Sequence, residues 1–350
     1  MRARSVFVLI VICAASAAYF VGRPGSLAGT GPHRGGGGTN NSGTALFGSI
    51  SPALVFVNST LGEQHEQAAG TGVVLTSTGE VLTNNHVIEG ATAIQATDVG
   101  NGRTYTATVA GYDRSHDVAL LQLQAAQGLA TAPLDTSTQP SIGQQVAAVG
   151  NAGGTGSLTT AVGTITALNR SITASDQASG SSEQLTGLIQ VKANVRPGDS
   201  GGPLVAASGK VIGITTAAGS TYQFRGGSST AGFAIPITAA LPIGKQIAAG
   251  TSSATVHIGQ TAQLGVAVGP ASSADGAAVV EVLPGEPAQA AGLRAGDLIT
   301  SLGGMAVDSP NTLVTLIDRD HPGQSVMVGW TDQFGQTRTA AVTLGTGPAG

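Results

Sequence analysis

Gly198-Asp199-Ser200-Gly201-Gly202-Pro203 is the stretch on which the reading of this chain turns. A serine hydroxyl is a weak nucleophile at neutral pH. It needs a base to take its proton and donors to hold the oxyanion it creates. Glycines on both sides of Ser200 let the backbone turn tightly and bring its N–H groups close to a reacting carbonyl. Alone, the stretch also reads as an ordinary glycine-rich turn. Upstream, however, lie Thr83-Asn84-Asn85-His86-Val87 and then Asp117-Val118-Ala119-Leu120-Leu121. The order His86, Asp117, Ser200 is one of the few chain orders in which the acyl-transfer triad occurs.

In that reading Ser200 is the nucleophile and His86 the base that takes its proton and returns it to the leaving group. Asp117 accepts the other imidazole N–H and steadies the imidazolium. Asp98 and Asp113 also follow the histidine, but Asp113-Arg114-Ser115 reads as a solvated turn and His116 as a surface residue. Asp117 opens the apolar run 118–123, at the edge of a core, where an unpaired charge is costly and a partner is needed. The backbone N–H groups of Gly198 and Ser200 are the expected oxyanion hole, since Gly198 has no side chain to obstruct the approach.

Composition narrows the class. Hydrophobic residues make up 41% of the 350, so the chain can bury cores, while 53 glycines and only 3% aromatics mark many turns and small side chains. Net charge is −4, and no basic stripe suits nucleic acid. The six histidines are scattered and the single cysteine, Cys13, lies in the N-terminal apolar stretch. No metal site, cofactor motif or disulfide follows from them.

Arg2 and Arg4 precede an apolar run, 6–21, as in an export signal. Ala15-Ser16-Ala17 would suit cleavage, yet the run continues past it, so residues 1–22 read as a cleaved signal or as a membrane anchor. Either way the expected location is extracytoplasmic. Residues 23–48, with Gly35 to Gly38 in a row, read as a flexible tether. From 49 to 249, short apolar runs between turn signals (68–75, 81–83, 105–110, 118–123, 145–149, 188–191, 204–206 and 211–215) predict strands of an all-β sandwich or barrel. A helix is expected at 238–249 and a linker at 250–258. Residues 259–347 then read as a small α+β unit, with Ser309 as N-cap and Pro310 as the first residue of a helix.

These blocks, with Gly70-Thr71-Gly72-Val73-Val74 and Gly232-Phe233-Ala234-Ile235-Pro236, resemble the trypsin-like serine proteases. Within them the chain is similar to the bacterial HtrA/Deg family that carries a PDZ domain, and most like its secreted or envelope-associated mycobacterial-type members. The resemblance implies a mainly β fold: two six-stranded barrels, His86 and Asp117 from the first and Ser200 from the second, followed by an α+β PDZ domain. It implies a serine endopeptidase acting on unfolded or damaged extracytoplasmic polypeptides. A chaperone-like or scaffold protein with minor proteolysis is the alternative, and a homotrimer is an assembly common in the family.

By the same resemblance Asn194, Thr215, Thr216, Ala217 and Gly232 line the substrate pocket. Asn194 stands where trypsin has its acid, so small or medium apolar residues are expected before the cleaved bond. Gln263-Leu264-Gly265-Val266 resembles the PDZ loop that holds a peptide C-terminus while the peptide adds to the sheet edge. Asp199 departs from the asparagine most HtrA proteases carry there, and Lys192 and Arg196 lie near it in sequence.

Overall fold

The computed structural model describes residues 10–11, 49–62, 66–175, 182–218, 231–271 and 275–350. The tether and all but two residues of the N-terminal apolar segment lie outside these. Among the described residues no helix is long and apolar enough to cross a membrane.

Six strands close the first barrel: β1 (Leu54–Leu61), β2 (Glu66–Val74), β3 (Glu80–Thr83), β4 (Ala91–Asp98), β5 (Thr104–Asp113) and β6 (Val118–Leu123). They run in the order β5-β4-β1-β2-β3-β6, and β6 pairs back on β5. Valines, leucines and Tyr105 fill the interior, among them Val55, Val57, Val81 and Leu121. A single helical turn, α1 (Asn85–Ile88), leaves the end of β3. The second barrel is closed by β7 (Gln145–Gly150), β8 (Thr159–Ser175), β9 (Ser182–Lys192), β10 (Pro203–Ala206), β11 (Val211–Ala218) and β12 (Ala231–Pro236), in the order β9-β12-β11-β10-β7-β8. Its interior holds Val146, Ile165, Ile189 and Leu204. A third cluster bridges the two barrels, setting Leu54, Val73 and Leu82 of the first against Val149, Ile214 and Phe233 of the second. The active-site blocks lie along this bridge.

Helix α2 (Ile237–Ala248) follows, one residue earlier than the sequence suggested. Residues 250–258 are not the simple linker expected. They contain β13 (Val256–Ile258), which adds antiparallel to the outer edge of β5, with Val256 opposite Asp113. Tyr112 and Asp113 were thus an edge waiting for a partner.

The C-terminal unit comprises β14 (Ala262–Gln263), β15 (Val266–Pro270), β16 (Ala277–Val282), α3 (Pro287–Ala291), β17 (Leu298–Leu302), β18 (Met305–Ala306), α4 (Pro310–Ile317), β19 (Ser325–Thr331), β20 (Thr337–Thr343) and β21 (Gly345–Thr346). The main sheet runs β15-β16-β17-β19-β20, and Ile10–Val11 adds to the outer edge of β15. Ser309 caps α4 as expected, its Oγ accepting the Thr312 N–H at 3.2 Å. Leu313, Leu316 and Ile317 turn inward onto a core that includes Ile299, Val328 and Trp330.

Candidate active site

Asp117 sits where a helical turn ends and β6 begins, with φ 53° and ψ 46°. That left-handed conformation is uncommon for a residue other than glycine and marks a position the surroundings must hold. They hold it from three sides. The His86 main-chain N–H donates to Asp117 Oδ1 at 3.0 Å, and His86 Nδ1 lies 2.9 Å from Oδ2. Thr216 Oγ1 donates to the same Oδ2. The carboxylate side chain is 5% exposed and the imidazole 35%, so the acid is shielded while the ring opens to a cleft. An acceptor pair on one face of the ring directs the Nδ1 proton to Asp117, so Nε2 is the nitrogen that can take a proton.

Asp113 is the more instructive correction. It is buried, not solvated, and caps the turn 114–116: its Oδ1 accepts the His116 N–H at 3.1 Å and its Oδ2 lies 2.8 Å from His116 Nδ1. His116 is exposed and makes this local pair.

Ser200 stands at the mouth of β10. Two glycines around it have reasons to be glycines. Gly198 has φ +93° and a Cβ there would strike the Asn151 carbonyl; Gly201 has φ +81° and its Cβ would strike the Thr71 carbonyl and the Thr83 hydroxyl. Among the described residues neither the Gly198 nor the Ser200 N–H has a hydrogen-bond acceptor. The Ser200 hydroxyl lies 3.5 Å from the Thr216 carbonyl. Thr216 therefore touches both ends of the expected triad, its hydroxyl on Asp117 and its carbonyl by Ser200. A bulge explains how. Thr215 is opposite Ala234 and Ala217 opposite Phe233, so Thr216 is the extra residue of β11.

The sequence reading missed that role, having assigned Thr216 to the substrate pocket. Of the other residues so assigned, Asn194 is exposed, its amide oxygen accepting from Arg196 Nη2 at 3.0 Å and Nε at 3.2 Å. Gly232 is buried against Val195. The backbone of Thr215 pairs with Gly201 and Gly202, and its buried hydroxyl has no hydrogen-bond partner among the described residues. The side chain of Ala217 lies outside the description. The sequence also missed Asn84, which is fully buried beside His86. Its Nδ2 donates to the Asp117 carbonyl at 2.8 Å and its Oδ1 accepts the Gly201 N–H at 2.7 Å, tying the Asp117 turn to the Ser200 turn across the barrels.

Asp199 is buried next to Ser200. Its partners are the Arg196 main-chain N–H at 2.9 Å and the Thr159 hydroxyl at 3.4 Å. Burial pushes its carboxyl up to about 6, against the pull of those bonds and of the Arg196 charge. In the C-terminal unit Leu264 is fully buried, and Glu286 packs over Gly265 while accepting from Gln263 Nε2 at 2.7 Å. Val266 begins β15, the strand whose edge Ile10–Val11 covers.

A model of the trypsin-like peptidase domain matches residues 70–214, and one of the PDZ domain matches residues 262–343. The chain is 31% identical over 311 residues to the chloroplastic Protease Do-like 1 of Arabidopsis thaliana, covering 81% of this chain and 67% of that one. The chain belongs to the HtrA/Deg family of trypsin-like serine proteases. It is also 33% identical over 313 residues to the serine protease PepD of Mycobacterium tuberculosis, covering 85% of this chain and 64% of PepD. With the periplasmic pH-dependent serine endoprotease DegQ of Escherichia coli it shares 35% identity over 277 residues, 75% of this chain and 56% of DegQ. The chain thus spans less than two thirds of the length of several relatives. Here a two-barrel protease fold precedes a PDZ fold.

Proposed function

We propose that this HtrA/Deg-family chain is a serine endopeptidase that hydrolyses peptide bonds in unfolded or damaged polypeptides outside the cytoplasm. The observation that carries the reading is the arrangement around Asp117: it grips His86 through both the main chain and the ring, and Thr216 links it to Ser200. In this mechanism Ser200 Oγ attacks the substrate carbonyl as its proton passes to His86 Nε2. Asp117, held by Thr216 and His86, accepts from Nδ1 and offsets the imidazolium charge. The Gly198 and Ser200 N–H groups, which lack acceptors, receive the oxyanion. His86 then gives its proton to the leaving amine, and water releases the acyl group by the same steps in reverse roles.

The periplasmic relative DegQ and the basic, apolar N-terminus support an extracytoplasmic location. The PDZ unit, with Gln263 to Val266 leading into β15, whose outer edge accepts an added strand in Ile10–Val11, suits capture of peptide C-termini by strand addition in place of that segment. The substrate pocket is assigned to the walls around Asn194, Thr215, Ala217 and Gly232; no acid among them calls for Lys or Arg before the cleaved bond.

The test is casein turnover by the full chain and by Ser200→Ala, run beside suppression of aggregation of a denatured client. Turnover lost in Ser200→Ala, whether or not aggregation is suppressed, is the expected result. Equal turnover in both proteins would overturn the assignment.

A further inference from the structure

We propose that Thr71, a residue of the first barrel, is a positioning residue that sets the oxyanion hole of the second. The inference rests on the serine-endopeptidase reading above and adds a part to it. Thr71 lies midway along β2 and is fully buried. Its main-chain N–H donates to the Ser200 carbonyl at 2.8 Å. Its Oγ1 donates to the Gly198 carbonyl at 2.8 Å and accepts the Asn151 N–H at 3.0 Å. Because the Asn151 group can only donate, the single hydroxyl proton is committed to Gly198. Its own carbonyl accepts from Thr83 Oγ1 at 2.8 Å, which fixes the strand beneath it.

The oxyanion hole is a question of peptide planes. In a trans peptide the N–H lies opposite the C=O, so whatever pins one aims the other. Gly153 N–H pins the Pro197 carbonyl at 2.7 Å and so turns the Gly198 N–H the other way. The next plane, Gly198–Asp199, is pinned by Thr71. Gly198, between them at φ +93°, is the joint with the least steric resistance to a flip. Two further glycines bring the framework close: a Cβ at Gly150 would come within 3.0 Å of Thr71 Oγ1, and one at Gly202 within 3.3 Å of Thr71 Cβ. Without the hydroxyl, the Gly198 carbonyl and the Asn151 N–H each lose a buried partner, and rotating the glycine plane becomes the relief available. The hydroxyl never touches substrate. It acts by holding the Gly198–Asp199 plane, which joins the two planes that carry the Gly198 and Ser200 N–H groups, so that both donors keep their orientation before the reaction needs them.

The experiment compares Thr71→Val, which keeps shape and removes the hydroxyl, with Thr71→Ser, which keeps the hydroxyl, in the full chain. The readouts are kcat and KM on a fluorogenic peptide and inhibition by a peptidyl boronic acid, whose tetrahedral adduct puts an oxygen in the hole. Thr71→Val is expected to lose kcat about 10- to 100-fold, less than or near the loss of a direct donor, with KM within about twofold. Boronate affinity should fall with kcat, the acid limb of the pH–rate profile should stay where it is, and Thr71→Ser should recover most of the loss. Should Thr71→Val fail to fold, Thr71→Cys, a weak donor of similar size, carries the same prediction with a smaller loss. Unchanged kcat in Thr71→Val or Thr71→Cys, or a change confined to KM, overturns the inference. A wild-type chain that neither turns over nor binds the boronate overturns the endopeptidase reading itself.

Discussion

At the scale of single residues, the chain concentrates its unusual chemistry within a few positions of Ser200 and Asp117. Asp199 carries the clearest consequence. An acid whose carboxyl is raised from 3.8 to about 6 by burial favours its protonated form in the fold. The penalty for the charged form is therefore absent below pH 3.8, grows through 6 and is complete above it. Two pH units correspond to about 3 kcal/mol at neutral pH. Asp199→Asn should raise the melting temperature at pH 7.5 by an amount worth up to that figure. The gain should vanish by pH 4. A difference in melting temperature that does not depend on pH would contradict the burial account. His86, Asp117 and Ser200 were legible in the sequence because each opens or closes a short motif. Asn84, Thr71 and Thr216 were not, because a polar side chain bonded to a partner 80 or more residues away leaves no local pattern.

At the scale of elements, the bulge in β11 is the device that links Asp117 to Ser200. One extra residue turns the Thr216 hydroxyl to Asp117 and its carbonyl to Ser200. Thr216→Val should lower kcat about 10-fold or more with KM little changed, since it loosens the acid without touching the cleft. Steady-state kinetics on a short peptide would show it, and an unchanged kcat would mean that His86 alone orients Asp117. The same scale explains which strands could be read in advance. Runs such as 118–123 and 145–149 are apolar enough to declare themselves. β4 (Ala91–Asp98) and β8 (Thr159–Ser175) escaped because they are rich in alanine and threonine, with their isoleucines scattered among polar residues. Threonine fits a strand as well as valine does, yet it adds no hydrophobic signal. The three-residue β13 was invisible for another reason: it is a strand only because the edge of β5 receives it.

At the scale of the whole molecule, the PDZ unit is fastened to the protease barrels through one corner. His257 stacks on Tyr112 at 4.9 Å between ring centroids, and Tyr112 Oη donates to Asp318 Oδ1 at 3.3 Å. Arg114 forms an ion pair with Asp318, and Ala349 pairs with the backbone at Gly90 and Ala91, just beyond α1 and His86. Asp318→Ala removes two of these links at once. It should separate thermal unfolding into two transitions, one for each unit, whereas a single unchanged transition would mean that β13 and the Ala349 pairing suffice. The division into protease and PDZ units was legible from the order of motifs. The corner was not, because its partners are some 200 residues apart and no short run of sequence shows that they meet.

The most direct measurement of the central claim is to label the full chain with a fluorophosphonate and map the modified peptide by mass spectrometry. The account predicts a single adduct on Ser200, formed at neutral pH, lost in Ser200→Ala and strongly slowed in His86→Ala. No adduct on the folded wild-type chain, or an adduct that persists in Ser200→Ala, would contradict it.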